Sequence, residues 1–392
     1  MELTRGQEEC ASRFMRWWKR KSFKSHPTFE ISGAAGTGKT TLVKILIDRI
    51  GLTYDEVVFM TYVGKATLAL ARSGLPARTI HHTICDIRQE PLLGSDGLPI
   101  LDPEGKPVLR YKFLKKKKLD PRLKLLVVDE GRMVPEELAK WILSYHIPVI
   151  VLGDLNQLDP VFGNPVFLNN PDATLDEIMR QAKDSPIPYL ADRVIRGKPI
   201  HEGIDGSGKI KIIYGKRDVA VDYLDADIVI CGKNKTREAM NDYIRMYYKG
   251  YMTSEPMIGD KLICRKNNWN RFNHDNVPLV NGMIGTIKNI DLEHMTKAKI
   301  PIDFQPEDFE DCFYNVDMDR FLFNNYKRDE NSTRTNYDVF EYGYVITCHL
   351  AQGSQYNNVI VKFEYMGRDQ HTRDRWLYTA VTRAIDKLTI IF

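Results

Sequence analysis

From Phe29 to Val166 short apolar runs alternate with amphipathic stretches, the pattern that strands and helices of a parallel sheet leave in a sequence. It predicts strands at Thr28 to Ser32, Glu56 to Thr61, Leu125 to Asp129 and Pro148 to Gly153, and a helix from Thr41 to Ile50. A second series of the same habit follows at Asp227 to Cys231, Tyr344 to Thr347, Asn358 to Phe363 and Leu388 to Phe392, which predicts a second α/β domain. The stretch from about 258 to 342 breaks the pattern with short β-type runs, Asn and Gly, as a small β-barrel-like insertion would. Between Gln89 and Leu119, Ser95-Asp96-Gly97 and Pro103-Glu104-Gly105-Lys106 place turn chemistry between apolar stretches, so a projecting β-hairpin is expected there. Trp17 and Trp18 are expected to pack a helix against the core.

At 392 residues the chain exceeds one comfortable core, and two principal domains, 1–170 and 171–392, are the natural division. With 43% hydrophobic and 28% charged residues it has a globular composition, and no apolar run approaches the ~20 residues of a membrane span. The polar opening Met1-Glu2-Leu3-Thr4-Arg5 does not resemble a secretory signal, so a cytoplasmic location is expected. The six cysteines stand far apart, at no zinc or redox spacing, and most are expected to be buried thiols. A net charge of +4 permits polyanion binding without requiring it.

Gly33-Ala34-Ala35-Gly36-Thr37-Gly38-Lys39-Thr40 fits the phosphate-binding P-loop in full, between an apolar strand and the helix opened by Thr41. Its glycines let backbone N–H groups close around phosphates at a helix N-terminus; Lys39 neutralises the β/γ oxygens and the Thr40 hydroxyl is placed to ligate Mg²⁺. Leu125-Leu126-Val127-Val128-Asp129-Glu130 is a buried-type strand ending in two carboxylates. A P-loop enzyme needs one to hold the Mg²⁺ shell and one to polarise the attacking water, roles assigned to Asp129 and Glu130. ATP and Mg²⁺ are the cofactors this predicts.

Together with Gly153-Asp154-Leu155-Asn156-Gln157-Leu158-Asp159-Pro160, these segments resemble motifs of the superfamily 1 helicases, in the phage-type RecD and Dda group. Leu3-Thr4-Arg5-Gly6-Gln7 is similar to that family's adenine-reading segment. Tyr344 to Gln355, which contains Gly353, matches its motif V, and Leu377 to Ala384 its motif VI. The resemblance implies two RecA-like domains, Gln7 on the base, Gln157 as γ-phosphate sensor, Gly353 at the nucleotide, and Arg180 and Arg383 as cations facing the transferred phosphoryl group. It also implies movement along single-stranded DNA in the 5′→3′ direction with unwinding of fork DNA.

The DNA-contacting set carried over by the same resemblance is Val63 and Lys65 of motif Ia, Thr79 and His81 of motif Ib, Asn234, and Thr347 and His349 of motif V. Val63 stands where relatives have Thr, which leaves it a backbone contact, and Arg132 stands where they have Ser, so no link from Arg132 to the DNA site carries over. The hairpin occupies the place of the strand-separating pin in Dda-like relatives. Lys115 to Lys118 reads equally as a nucleic-acid contact or as a solvated face. An RNA-directed motor and a nucleotide-switched clamp or loader are the alternatives, and replication or recombination proteins the expected partners.

Overall fold

The computed structural model describes residues 3–102, 105–159, 164–177, 185–215, 221–323, 336–364 and 369–392. The chain packs as two compact units, one formed by residues 1–86, 115–219 and 351–392 and the other by 87–114 and 220–350. Among the described residues no helix is long and apolar enough to cross a membrane.

In the first unit, six parallel strands stand in the order Ala77–Thr79, Val57–Thr61, Leu125–Asp129, Val149–Gly153, Thr28–Gly33 and Ala173–Leu175. Both faces of this sheet are covered, which is why its strands read as continuous apolar runs. Phe59, Val127 and Leu152 face a cluster with Phe14, Trp17, Leu42 and Leu46, while Met60, Val128 and Val151 face Ile80, Val134, Leu138 and Phe167. Each such burial is worth about 1.5–3 kcal/mol, so successive residues of one strand stabilise opposite helical layers. The register pairs Ser32 with Gly153 and Thr61 with Asp129, so the chemistry-bearing strands end together along one rim. In open α/β sheets that carboxyl rim is where ligands bind.

Helix Arg5–Lys19 opens on a capping box between Thr4 and Gln7 and buries Phe14 and Trp17. Trp17 donates its indole N–H to the His26 carbonyl at 3.0 Å, and Trp18 packs beside it, as expected. Five of the cysteines are buried, Cys312 is half-buried, and all six are free thiols. The same unit holds a second run of strands, Tyr356–Lys362 beside Ala384–Ile391 beside Ile210–Ile213, all parallel, with Gly203–Ile204 antiparallel at the edge.

The second unit pairs Ile228–Cys231 in parallel with Val345–Thr347, and both strands lie where the apolar runs predict them. Its antiparallel sheet runs Phe313–Asp319, Lys299–Pro306, Ile284–Ile290, Lys261–Cys264 and Phe340–Tyr342. A bridge from Met318 to Asp338, just before the last strand, brings the sheet back on itself, so the insertion is barrel-like as expected. Phe304 fills its centre, 5.0 Å from the Phe340 ring.

The hairpin insertion is present but begins earlier than the turn residues suggest. Strands Cys85–Pro91 and Leu109–Lys115 pair with each other, and the Lys116 N–H already bonds the Ile84 carbonyl, so the ladder starts where the preceding helix stops. The tip is a small meander, bridged at Leu93 to Pro99 and Leu101 to Pro107, with Leu93, Leu98 and Leu101 exposed. Asn336 ties it to the rest of its unit, accepting from the Leu109 N–H at 3.1 Å and donating to Asp102 at 2.9 Å and to the Pro107 carbonyl at 3.1 Å. Within the lysine run, Lys116 bonds the carbonyls of His82 and Thr83, and Lys115 lies 5.0 Å from the centre of the Tyr145 ring.

Candidate nucleotide site

Strand Thr28–Gly33 delivers the loop, and helix Lys39–Ile50 takes the chain away from it. Gly38, the residue before the helix, has φ +76° and Gly36 φ +81°, left-handed backbone that lets successive N–H groups turn toward one centre. The Lys39 ammonium lies across this loop, bonded to the Gly33 and Ala34 carbonyls at 2.6 and 3.0 Å. Thr37 closes the turn with its hydroxyl on the Ala34 carbonyl at 2.9 Å, and Thr40 and Thr41 sit half-buried in the first helical turn. A cavity of 660 Å³ opens beside Ala34, Ala35 and Gly36, walled also by Asn156, Tyr378 and Thr382. That volume is in the range of small-molecule sites.

Gln7 is buried behind the loop, its amide donating to the Thr37 carbonyl at 3.0 Å and accepting from the Thr4 N–H at 3.1 Å. These bonds tie Gln7 to the loop.

The acidic pair sits two strands over, beyond Val149–Gly153. Burial pushes both carboxyls upward; the Lys39 charge and the Glu130 N–H, at 2.9 Å, pull Asp129 back. For Glu130, burial and then the Asp129 charge raise the pKa, while Arg383 and Lys39 lower it and Asp154 raises it further. Two acids and two cations thus share one low-dielectric space. Glu130 adopts φ +51°, a left-handed conformation uncommon for a side-chain-bearing residue and typical of functional sites under strain.

Arg383 is buried at the end of helix Gln370–Val381, donating to the carbonyls of Thr379 at 3.0 Å and Ser354 at 3.2 Å. The same helix grips the loop after strand Val149–Gly153. Tyr378 donates to Asp154 at 2.6 Å, Thr379 accepts from the Leu158 N–H at 2.9 Å, and Arg375 bonds Asp159 and the Gln157 carbonyl. Gln157 is buried in this loop. Gly353 lies close to motif Ia, where an added Cβ would come within 3.1 Å of Ala66. Arg180 lies outside the described residues.

The DNA-contacting candidates are distributed over both units. Val63 is half-buried just before helix Gly64–Arg72, with its carbonyl accepting from the Thr61 hydroxyl at 2.8 Å. Lys65 holds its ammonium 4.5 Å from the centre of the Tyr356 ring. Thr79 is buried and caps helix Ile80–Ile84 through the His82 N–H at 3.2 Å. His81 lies 5.9 Å from the exposed ring of Tyr62, and burial lowers its pKa, as it does that of His349. Asn234 is exposed at the start of helix Asn234–Tyr243, and Thr347 and His349 are half-buried. The sequence does not reveal the exposed Tyr62 ring beside His81, or the pairing of Arg132 and Arg375 with Asp159, which is visible only in three dimensions.

Residues 20–213 match a family profile described as an AAA domain, and residues 342–391 one described as a UvrD-like helicase C-terminal domain. The chain is 25% identical over 389 residues to the ATP-dependent RecD2 DNA helicase of Deinococcus radiodurans, covering 92% of this chain and 46% of that one. It is 28% identical over 290 residues to the ATP-dependent DNA helicase dda of Enterobacteria phage T4, covering 67% of this chain and 60% of that one. It therefore spans about half the length of the curated relatives it matches. Among solved structures, Pif1 helicases at forked DNA align over the whole chain and 92% of theirs with TM-score 0.55 at 16% identity. Pif1 from Bacteroides, in complex with ADP-AlF3 and single-stranded DNA, aligns over 100% of this chain and 92% of its own with TM-score 0.53 at 15% identity. These structures share the fold of two RecA-like α/β domains. Ordered motifs, both domain matches and the sequence relatives point the same way: the chain resembles the RecD2 and Dda helicases in sequence, and the Pif1 structures share its fold.

Proposed function

We propose that the chain is an ATP-driven motor that moves 5′→3′ along single-stranded DNA and opens duplex at a fork. The observation that carries this reading is the phosphate-type loop, with Lys39 across its Gly33 and Ala34 carbonyls, on the same carboxyl rim as the segments of Asp129 and Gly153. Lys39 and Arg383 face the charge that develops on the γ-phosphoryl group, Glu130 takes the proton of the attacking water, and Gln157 senses the γ-phosphate. Asp129 and Thr40 fit Mg²⁺, since a hard cation takes oxygen donors and a buried carboxylate raised by desolvation gains from a cation beside it. Bound there, Mg²⁺ supplies charge neutralisation on the β and γ oxygens.

The motor lobes are residues 1–170 and 171–392, with motifs Ia and Ib on the first and Asn234, Thr347 and His349 on the second contacting the DNA backbone. Tyr62 beside His81 offers a ring for base stacking. DNA is favoured over RNA because the relatives are named DNA helicases and the aligned Pif1 structures hold DNA. Replication or recombination proteins are the proposed partners, in the cytoplasm, or in the host's if the gene is a phage's. ATP turnover is measured with single-stranded DNA, with RNA and without polymer. Strong stimulation by DNA alone is expected; equal stimulation by RNA moves the assignment to an RNA motor, and no stimulation by either rules out a nucleic-acid motor.

The hairpin is proposed as the wedge that splits base pairs. Replacing residues 93–107 by a short Gly-Ser turn keeps strands Cys85–Pro91 and Leu109–Lys115, whose ends are already joined by the Leu92 N–H on the Val108 carbonyl at 2.8 Å. Closing so short a gap costs little loop entropy. The variant is expected to retain DNA-stimulated hydrolysis and lose strand separation on a duplex with a 5′ overhang. Separation at the parental rate would place the wedge elsewhere.

A further inference from the structure

Arg132 and Asp159 have no assigned work, yet they meet. The Asp159 carboxylate accepts from Arg132 Nε at 2.7 Å and from Arg375 Nη1 and Nη2 at 2.6 and 3.0 Å. Arg375 reaches past it to the Gln157 carbonyl. Both arginine side chains are largely buried, with 14% and 11% exposure, whereas the carboxylate they share is 41% exposed. Burial pushes the Asp159 carboxyl up, but Arg375 and then Arg132 outweigh it and hold the group below its ordinary range. Both guanidiniums converge on one acid, and Arg375 grips both of its oxygens in a fork that lysine cannot reproduce.

What the three residues neighbour gives the arrangement its meaning. Arg132 lies in the turn Gly131–Met133, two residues after Glu130. Asp159 comes two residues after Gln157, in a loop also held by Thr379 on the Leu158 N–H at 2.9 Å and by Gln352 on the Leu158 carbonyl at 3.2 Å. Arg375 stands on the helix Gln370–Val381, which ends two residues before Arg383. Three segments, each carrying one proposed catalytic group, are pinned at one carboxylate.

We propose that Asp159 is a positioning residue that holds Gln157 and Arg383 in register with Glu130 through its paired contacts to Arg132 and Arg375. It acts only through these neighbours. The inference rests on the roles proposed above for Glu130, Gln157 and Arg383. Loss of the pin lets three groups drift independently, and displacement by about 1 Å is enough to lower turnover on the order of 100-fold.

The test uses the whole chain with Asp159→Asn, Asp159→Glu, Arg132→Met, and Asp159→Asn combined with Arg132→Met. It reads kcat and KM for ATP at saturating single-stranded DNA, the affinity for a fluorescent ADP analogue, and the thermal midpoint. Asp159→Asn is expected to lose kcat on the order of 100-fold with nucleotide affinity nearly unchanged. Asp159→Glu, which restores a carboxylate, is expected to recover most of that loss, and the double variant to be no worse than Asp159→Asn. Parental kcat in a folded Asp159→Asn protein overturns the proposal, as does an equal loss of affinity and kcat that Asp159→Glu does not repair. Should Asp159→Asn fail to fold, Arg132→Met decides, because it leaves the Asp159 to Arg375 pair intact; parental kcat there overturns the proposal and a reduced kcat at unchanged affinity supports it. Lys39→Ala run alongside separates the two readings. If it is inactive while Asp159→Asn turns over normally, only the positioning role fails; if it too is active, the nucleotide site itself is misassigned.

Discussion

Lys39→Ala is expected to lower DNA-stimulated ATP hydrolysis on the order of 100- to 1,000-fold while the protein stays folded. The ammonium is the loop's own cation, fixed on the Gly33 and Ala34 carbonyls at 2.6 and 3.0 Å, and alanine removes it without touching the sheet beneath. Gly33 is buried and Ala34 half-buried, so leaving their carbonyls without the ammonium costs about 1–3 kcal/mol, a shift of several degrees in the thermal midpoint. Turnover and a melting curve on the same preparation check both halves. A folded variant with parental turnover would remove Lys39 from the phosphate site.

Glu130→Gln is expected to separate binding from chemistry more cleanly still. Glutamine keeps the shape and a hydrogen-bonding oxygen but cannot accept the proton, so turnover is expected to fall about 100- to 10,000-fold while nucleotide affinity holds. Stability is expected to rise slightly. Burial and the neighbouring Asp129 both oppose the charge on Glu130, and the amide removes that conflict. Nucleotide titration, turnover and a melt of parent and variant decide it; hydrolysis at the parental rate assigns the base to another group.

What the sequence made legible was chemistry held in short segments. The loop Gly33 to Thr40, the pair Asp129 and Glu130 and the segment Gly153 to Asp159 each follow an apolar strand. The parallel sheet then brings their ends to one rim, with Ser32 beside Gly153 and Thr61 beside Asp129. The barrel-like insertion was legible in outline, but its closure at Met318 and Asp338 was not, since one bridge leaves no periodic trace. Long-range pairing was invisible for the same reason. Asp159 finds Arg132 27 residues back and Arg375 216 residues ahead, and no local pattern links them. Among the residues carried over by resemblance, Lys65 over Tyr356, Thr79 on the His82 N–H and Gln7 on the Thr37 carbonyl have local partners that a motif cannot reveal.

The left-handed backbone of Glu130 has a consequence for how this protein can change. A side chain there costs about 1–2 kcal/mol of conformational strain that glycine would not incur. Glu130→Gly would relax the turn and rid the interior of a reluctant charge, yet it deletes the proposed base. A selection for heat tolerance and a selection for turnover therefore pull position 130 in opposite directions. Variants recovered from the first alone are expected to be robust, well-folded proteins that no longer hydrolyse ATP.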